Sequence, residues 1–169
     1  MASVTTSGTA EVTLPAEDQI LITREFAAPK HLVYKACTTP ELIKRWWSAK
    51  RGAVTVADVD LRVGGKWRYV MVTDDGFEVA FHGEYRVIIP DEQVVSTEVY
   101  EMPGVETDVA EANATLNTVT FSEADGCTTL RVLVQCPSKE VRDLIMDSGM
   151  EAGMQDAYDL LEGVAVSLI

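Results

Sequence analysis

Positive charge is scarce in this chain: 14 Lys+Arg stand against 27 Asp+Glu, for a formal net charge of -13. Nucleic acids and anionic membrane surfaces are recognised through basic patches, so neither is an expected partner. Histidine is limited to His31 and His82, far apart, and cysteine to Cys37, Cys127 and Cys136, odd in number and widely spaced. That argues against a zinc site and a disulfide framework, and reads the thiols as reduced, small core residues. No apolar run is long enough to span a bilayer, so membrane insertion is not expected. Residues 1–17 lack the basic start and apolar run of a secretory signal, which makes a cytoplasmic location the expectation. No phosphate-cradling glycine loop, nucleophile elbow or paired-carboxylate motif stands in a convincing context, so neither a catalytic constellation nor a cofactor is predicted.

What is present fits one domain of 169 residues, long enough to bury a single core without staples. Residues 1–18, rich in Ser, Thr, Ala and Gly without periodicity, read as a flexible tail, and residues 19–169 as the domain. Residues 19–26 predict a strand. Pro29 then opens a short helix through Cys37, and Thr39-Pro40 starts a second over residues 41–47, with proline in the first turn.

From Val54 to Cys136 the period becomes two, with turn signals at Gly64-Gly65, Asp74-Asp75-Gly76, Pro90-Asp91 and Ala124-Asp125-Gly126. Trp67, Tyr69 and Met71 share one face of a strand; Phe77, Val79, Phe81, Gly83 and Tyr85 share one face of the next. A three-residue turn with Gly76 in the left-handed position sets Met71 opposite Val79, Tyr69 opposite Phe81 and Trp67 opposite Gly83, with the indole lying across the bare glycine. The opposite face carries Glu78, His82, Glu84 and Arg86, as in a sheet wet on one side. His82 and Glu84 are therefore read as surface residues rather than an acid–base pair.

Residues 138–169 predict one long helix with an apolar stripe at Met146, Met150, Met154, Ala157, Leu161, Val164 and Leu168. Its acidic residues, Asp143, Asp147, Glu151, Asp156, Asp159 and Glu162, read as the solvated face. Methionines beside Gly149 and Gly153 suit an adaptable wall, whether that wall closes a core or lines a cavity. The acidic segment 102–113, longer than a hairpin needs, reads as a surface loop at the rim of a site. The resulting fold class is α+β: a curved antiparallel sheet of about six or seven strands wrapped around a long C-terminal helix, with two short helices after the first strand.

Several segments together resemble a known family: Arg24-Glu25-Phe26-Ala27-Ala28-Pro29, Thr39-Pro40-Glu41-Leu42, Trp46-Trp47, Gly64-Gly65-Lys66-Trp67, Gly76, Gly83-Glu84-Tyr85, Thr129-Leu130 and Gly149-Met150-Glu151-Ala152-Gly153. In their order and spacing they resemble the activator-of-Hsp90-ATPase homologue family of the SRPBCC superfamily, which includes START domains and the birch-pollen-allergen fold. The resemblance implies a helix-grip architecture with a hydrophobic cavity between sheet and C-terminal helix. Met154 stands where the family often has tryptophan, which would widen or soften that cavity. The implied activities are three: binding an apolar or amphipathic small molecule such as a lipid or polyketide, acting as a chaperone co-factor or other protein-interaction module, and cyclase- or hydrolase-like catalysis. The candidate ligand-binding residues are Trp46, Trp67, Tyr69, Met71, Phe81, Tyr85, Met150 and Met154. Core packing and pocket lining have the same chemistry here and differ in whether space remains. Of the adjacent Trp46 and Trp47, pointing about 100° apart on a helix, one is expected to anchor, and Trp46 is the candidate gate of the cavity mouth. An inward-facing titratable residue would favour an enzyme, and the sequence pattern offers none.

Overall fold

A computed structural model describes residues 9–101 and 103–169. The strands are β1 (Glu11–Thr13), β2 (Gln19–Phe26), β3 (Gly52–Val59), β4 (Lys66–Thr73), β5 (Glu78–Ile89), β6 (Gln93–Tyr100), β7 (Thr115–Ala124) and β8 (Cys127–Gln135). Among the described residues these eight antiparallel strands form one sheet in the order β1-β2-β8-β7-β6-β5-β4-β3. The helices are α1 (Lys30–Thr38), α2 (Pro40–Ile43), α3 (Thr107–Ala112), α4 (Lys139–Asp147) and α5 (Met150–Ser167).

The strands form because apolar residues alternate along them. On β2, Ile20, Ile22, Arg24 and Phe26 are buried in turn, opposite Val134, Val132, Leu130 and Thr128 of β8. The predicted hairpin register holds: Met71 pairs with Val79, Tyr69 with Phe81 and Trp67 with Gly83, around a turn in which Gly76 has φ 87°. Register shifts between Val54 and Val56 of β3 and between Tyr85 and Val87 of β5 mark local irregularities of the kind that bend a sheet. Helix α5 lies over the concave face, burying Ala157, Leu161, Val164 and Ala165, the i, i+4, i+7, i+8 positions of one stripe. Ile20, Phe26, Val33, Phe121, Leu130 and Leu161 belong to the core cluster that sheet, α1 and α5 share.

Three sequence expectations are corrected. The C-terminal segment is two helices, not one: Ser138 caps α4 by accepting from the Val141 N–H, and the chain then turns at Gly149, whose φ of 81° is readily adopted only by glycine. The methionine stripe continues across this break, with Met146 and Met150 both packed against the core. The expected tail is structured over Glu11–Thr13, which adds an eighth strand at the edge of β2. There Gln155 of α5 clasps the Ala10 backbone, accepting its N–H at 2.9 Å and donating to its carbonyl at 2.9 Å. Residues 1–8 of that tail lie outside the described residues, as does Met102 at the start of the acidic loop. That loop is helical over Thr107–Ala112, with Ala110 buried. Finally, the acidic face of α5 is not wholly solvated, because Asp159 and Glu162 turn to Arg24.

Candidate functional site

The concave face carries more than apolar residues. Trp67 is 6 % exposed and its ring centre lies 4.7 Å from that of Tyr69. Glycine at position 83 makes this possible: a Cβ there would stand 2.5 Å from Trp67 Nε1 and 1.8 Å from the Thr97 carbonyl oxygen. The Tyr69 and Tyr85 hydroxyls influence one another, and burial pushes the Tyr85 pKa up to about 12. Met71 is buried, while Tyr69, Phe81, Met150 and Met154 are partly buried against the core.

The two adjacent tryptophans separate, one to each of two partners. Trp46 donates its indole N–H to the Ala36 carbonyl at 2.9 Å, fastening the second helix to the first. Trp47 sets its ring edge-on to Tyr69 at 5.4 Å and Phe81 at 5.6 Å. The candidate aromatic wall therefore includes Trp47, which the sequence reading passed over.

Four inward groups combine accessible surface with strong loss of hydration. Cys37 of α1, Tyr69 of β4, Glu98 of β6 and Tyr158 of α5 are each only partly buried. Yet burial is the leading cause that raises the pKa of each, Cys37 to about 12. Side chains in solid core lose both hydration and accessible surface; those at the protein exterior keep both. The four also sense one another: Cys37 and Glu98 both raise Tyr69 and Tyr158. They stand on four elements, α1, β4, β6 and α5.

Glu98 is the inward acid that the sequence reading did not find. Phe81 pairs with Tyr100 and Tyr85 with Ser96, so Glu98 falls across from Gly83 on the concave face. It pairs with Thr115 on the other side. Thr115 donates to the Asn117 side-chain oxygen at 3.1 Å; burial raises the Glu98 pKa, and the Asn117 side chain opposes that rise.

A second inward charge is solved differently. The Arg24 side chain is fully buried, with its guanidinium nitrogen 3.2 Å from both Asp159 and Glu162 and its charge over the Phe26 ring. Burial lowers its pKa, against the opposing pull of Glu162 and Asp159. Glu162 also accepts the Ala27 N–H at 2.8 Å, so one carboxylate ties β2, the turn after it and α5 together.

His82 lies on the outer face, as the alternation requires, beside an open groove of about 580 Å³ lined by Arg68, Glu101, Pro103, Val105 and Ala110. Arg68 grips Glu101 through two 2.9 Å hydrogen bonds, and His82 Nδ1 lies 2.8 Å from the same carboxylate. The Arg68 hydrogen bond holds Glu101 down at about 2.

Glu98 and Glu101 therefore make opposite predictions. Glu98 is raised on folding, so its folded form is favoured while protonated and stability drains as pH rises above the ordinary value of 4.5. Glu101 is depressed, so its contribution is present above 4.5 and is lost as pH falls toward 2. In thermal melts followed across pH, Glu98→Gln is expected to raise the melting temperature near neutrality with no gain in acid. Glu101→Gln should flatten the acid limb instead. Parallel shifts at all pH values for both variants would contradict these environments.

The sequence profile of the family described as "Activator of Hsp90 ATPase homolog 1-like protein" matches residues 27–165. No curated protein matches the sequence significantly. Among solved structures, a Rhodobacter sphaeroides protein is 23% identical with a TM-score of 0.84, covering 95% of this chain and 100% of its own. A Mycobacterium smegmatis protein is 24% identical with a TM-score of 0.81, over 92% and 96%. A solution structure from Arthrobacter aurescens is 23% identical with a TM-score of 0.81, over 93% and 91%. At these identities the likeness establishes the shared fold.

Proposed function

Since the chain belongs to the activator of Hsp90 ATPase homologue 1-like family and has its SRPBCC-type helix-grip fold, we propose that it binds an amphipathic small molecule between the sheet and α5. The observation that carries this reading is that Tyr69, Phe81, Met150, Met154 and Tyr158, from the sheet and α5, remain only partly buried where they pack against the core. Trp47, Trp67, Phe81 and Tyr85 supply the aromatic wall, and Met150 and Met154 the adaptable one. Burial of ligand surface would contribute about 25 cal/mol per Å², less the cost of immobilisation.

Met150 begins α5 and packs against the core. Met150→Trp is expected to fill the space: saturable uptake of the neutral apolar fluorophore N-phenyl-1-naphthylamine should fall at least tenfold, while the melting temperature stays within a few degrees. Undiminished uptake by the variant would remove Met150 from the wall.

The family's description favours a second reading, a chaperone co-factor. It requires the added protein to stimulate a chaperone ATPase in a purified assay, and absence of stimulation rejects it. Among the described residues no helix is long and apolar enough to cross a membrane, which suits either reading.

A further inference from the structure

The outer groove beside β5 holds a second constellation, fixed by hydrogen bonds. Arg68 of β4 donates from Nε and Nη2 to the two Glu101 oxygens, at 2.9 Å each, and His82 Nδ1 of β5 lies 2.8 Å from Glu101 Oε2. Arg68 and His82 are paired residues of neighbouring strands, and the Glu101 N–H donates to the Ala80 carbonyl at 2.9 Å, so the backbone places all three. A carboxylate gripped by a guanidinium can only accept, so His82 carries its proton on Nδ1 and donates it to Glu101. That leaves the Nε2 lone pair, which has no hydrogen-bond partner among the described residues. An imidazole oriented by a third group, with its second nitrogen basic and unengaged, is the arrangement of a general base. The other histidine, His31, is exposed on α1 and lies outside the groove. The remaining walls suit a small organic substrate. The volume of about 580 Å³ is that of a small-molecule site, and Ala80, Pro103, Val105 and Ala110 make it partly apolar. Glu78 adds a second carboxylate, so a phosphate or carboxylate substrate would meet like charge. A neutral ester avoids that repulsion, and its carbonyl carbon is electrophilic enough for water activated by a base.

We propose that this groove hydrolyses short-chain carboxylic esters, with His82 as the general base, Glu101 as the positioning residue that orients its ring, and the acyl chain against Pro103, Val105 and Ala110. His82 Nε2 takes a proton from a water molecule as the water oxygen bonds to the ester carbonyl carbon and the π electron pair moves onto the carbonyl oxygen. Arg68, whose Nη1 makes no hydrogen bond among the described residues, is the cation available to that oxyanion. When the carbonyl re-forms, the bond to the alkoxy oxygen breaks and that oxygen takes the proton from Nε2. Ester and water are consumed, acid and alcohol are released, and the imidazole returns to its starting state. The groove is on the outer face of the sheet, so this activity stands apart from ligand binding between sheet and α5.

Initial rates of p-nitrophenyl butyrate hydrolysis by the full chain near neutral pH, measured against substrate concentration, test the assignment. The wild type is expected to saturate and to exceed an equal concentration of free histidine by roughly tenfold or more. His82→Ala should lower kcat/KM by about a hundredfold, the lower end of what a positioned base contributes, while His31→Ala stays within about twofold of wild type. Glu101→Gln should lower kcat by roughly tenfold or more with KM within about threefold, because it loosens the ring without removing the groove. A wild-type rate that does not saturate, or that only equals free histidine, overturns the proposal with no variant needed, so a folding defect in a variant would not protect it. Equal losses in His31→Ala and His82→Ala, or no loss in His82→Ala, overturn it as well. A Glu101→Gln effect confined to KM contradicts the orienting role of Glu101, and with it the assignment of the groove.

Discussion

Gly83→Ala is expected to cost roughly 3 kcal/mol or more, at the upper end of what overpacking a sheet produces. The added methyl has nowhere to go: it would sit 1.8 Å from the Thr97 carbonyl oxygen on β6 and 2.5 Å from the Trp67 indole nitrogen on β4. A flexible side chain can yield, but the Thr97 oxygen is backbone held in the sheet, so β5 and β6 would have to part. Trp67 would also lose the gap across which it reaches Tyr69. For a domain of this size the melting temperature should fall by about 6–12 °C, and the tryptophan emission should shift as the indole is displaced. A melting temperature within a degree or two of wild type would mean that the close approach of β5 to β6 is absent.

Arg24→Met is the second large effect, predicted at roughly 3–5 kcal/mol, the range for removing one partner of a buried ion pair. Methionine replaces the aliphatic volume of Arg24 but leaves Glu162, which is mostly buried, without its cation. Asp159 is 45% exposed and loses little, because water can replace the contact. The damage should therefore depend on Glu162, and Arg24→Met combined with Glu162→Gln should recover a substantial part of the single-variant loss. Lysine at position 24 is expected to restore only part of that stability, since an ammonium lacks the planar guanidinium that lies over the Phe26 ring. Urea denaturation of the wild type, Arg24→Met, Glu162→Gln and the double variant measures the coupling directly. Additive losses would contradict a shared Arg24–Glu162 contact.

Much of the fold was legible because local chemistry and long-range packing agree in this chain. The Asp74-Asp75-Gly76 turn and the alternation on either side of it are enough to pair Met71 with Val79 and Trp67 with Gly83, and the structure has that register. The helical break at Gly149 was hidden because apolar periodicity runs through it. The edge strand Glu11–Thr13 was hidden because three residues carry too little pattern, and its attachment relies on a distant side chain, Gln155. Similarity to the family was legible in short motifs spread over most of the domain, and the family profile covers residues 27–165.

The candidate site was only half legible. Aromatic residues on β4 and β5 point inward by simple alternation, and the structure places Trp67, Tyr69, Met71, Phe81 and Tyr85 there. Glu98 breaks the rule that supports such a reading. On β6 the more apolar alternate set is Val95, Thr97 and Val99, yet the set on the concave face is Val94, Ser96, Glu98 and Tyr100, fixed by pairing with β5 and β7. The concave face of β6 mixes polar and apolar side chains, so period-two patterning gives no phase to read there. The bulge between Tyr85 and Val87 then shifts the neighbouring register by one residue, out of reach of any local pattern. Arg24 misleads in the same way, being a charge in an apolar strand whose partners come from α5, more than a hundred residues away.

The central claim, an occupiable cavity between sheet and α5, is tested most directly by the three tryptophan indole signals of isotope-labelled protein during titration with aliphatic amines and alcohols, sterols and polyphenols. Trp47 and Trp67 touch the proposed wall, whereas the Trp46 N–H is tied to the Ala36 carbonyl. Saturable shifts at Trp47 and Trp67, with Trp46 nearly still, are the predicted result. A well-dispersed spectrum in which no indole responds to any compound, or in which all three respond equally and without saturation, would contradict it.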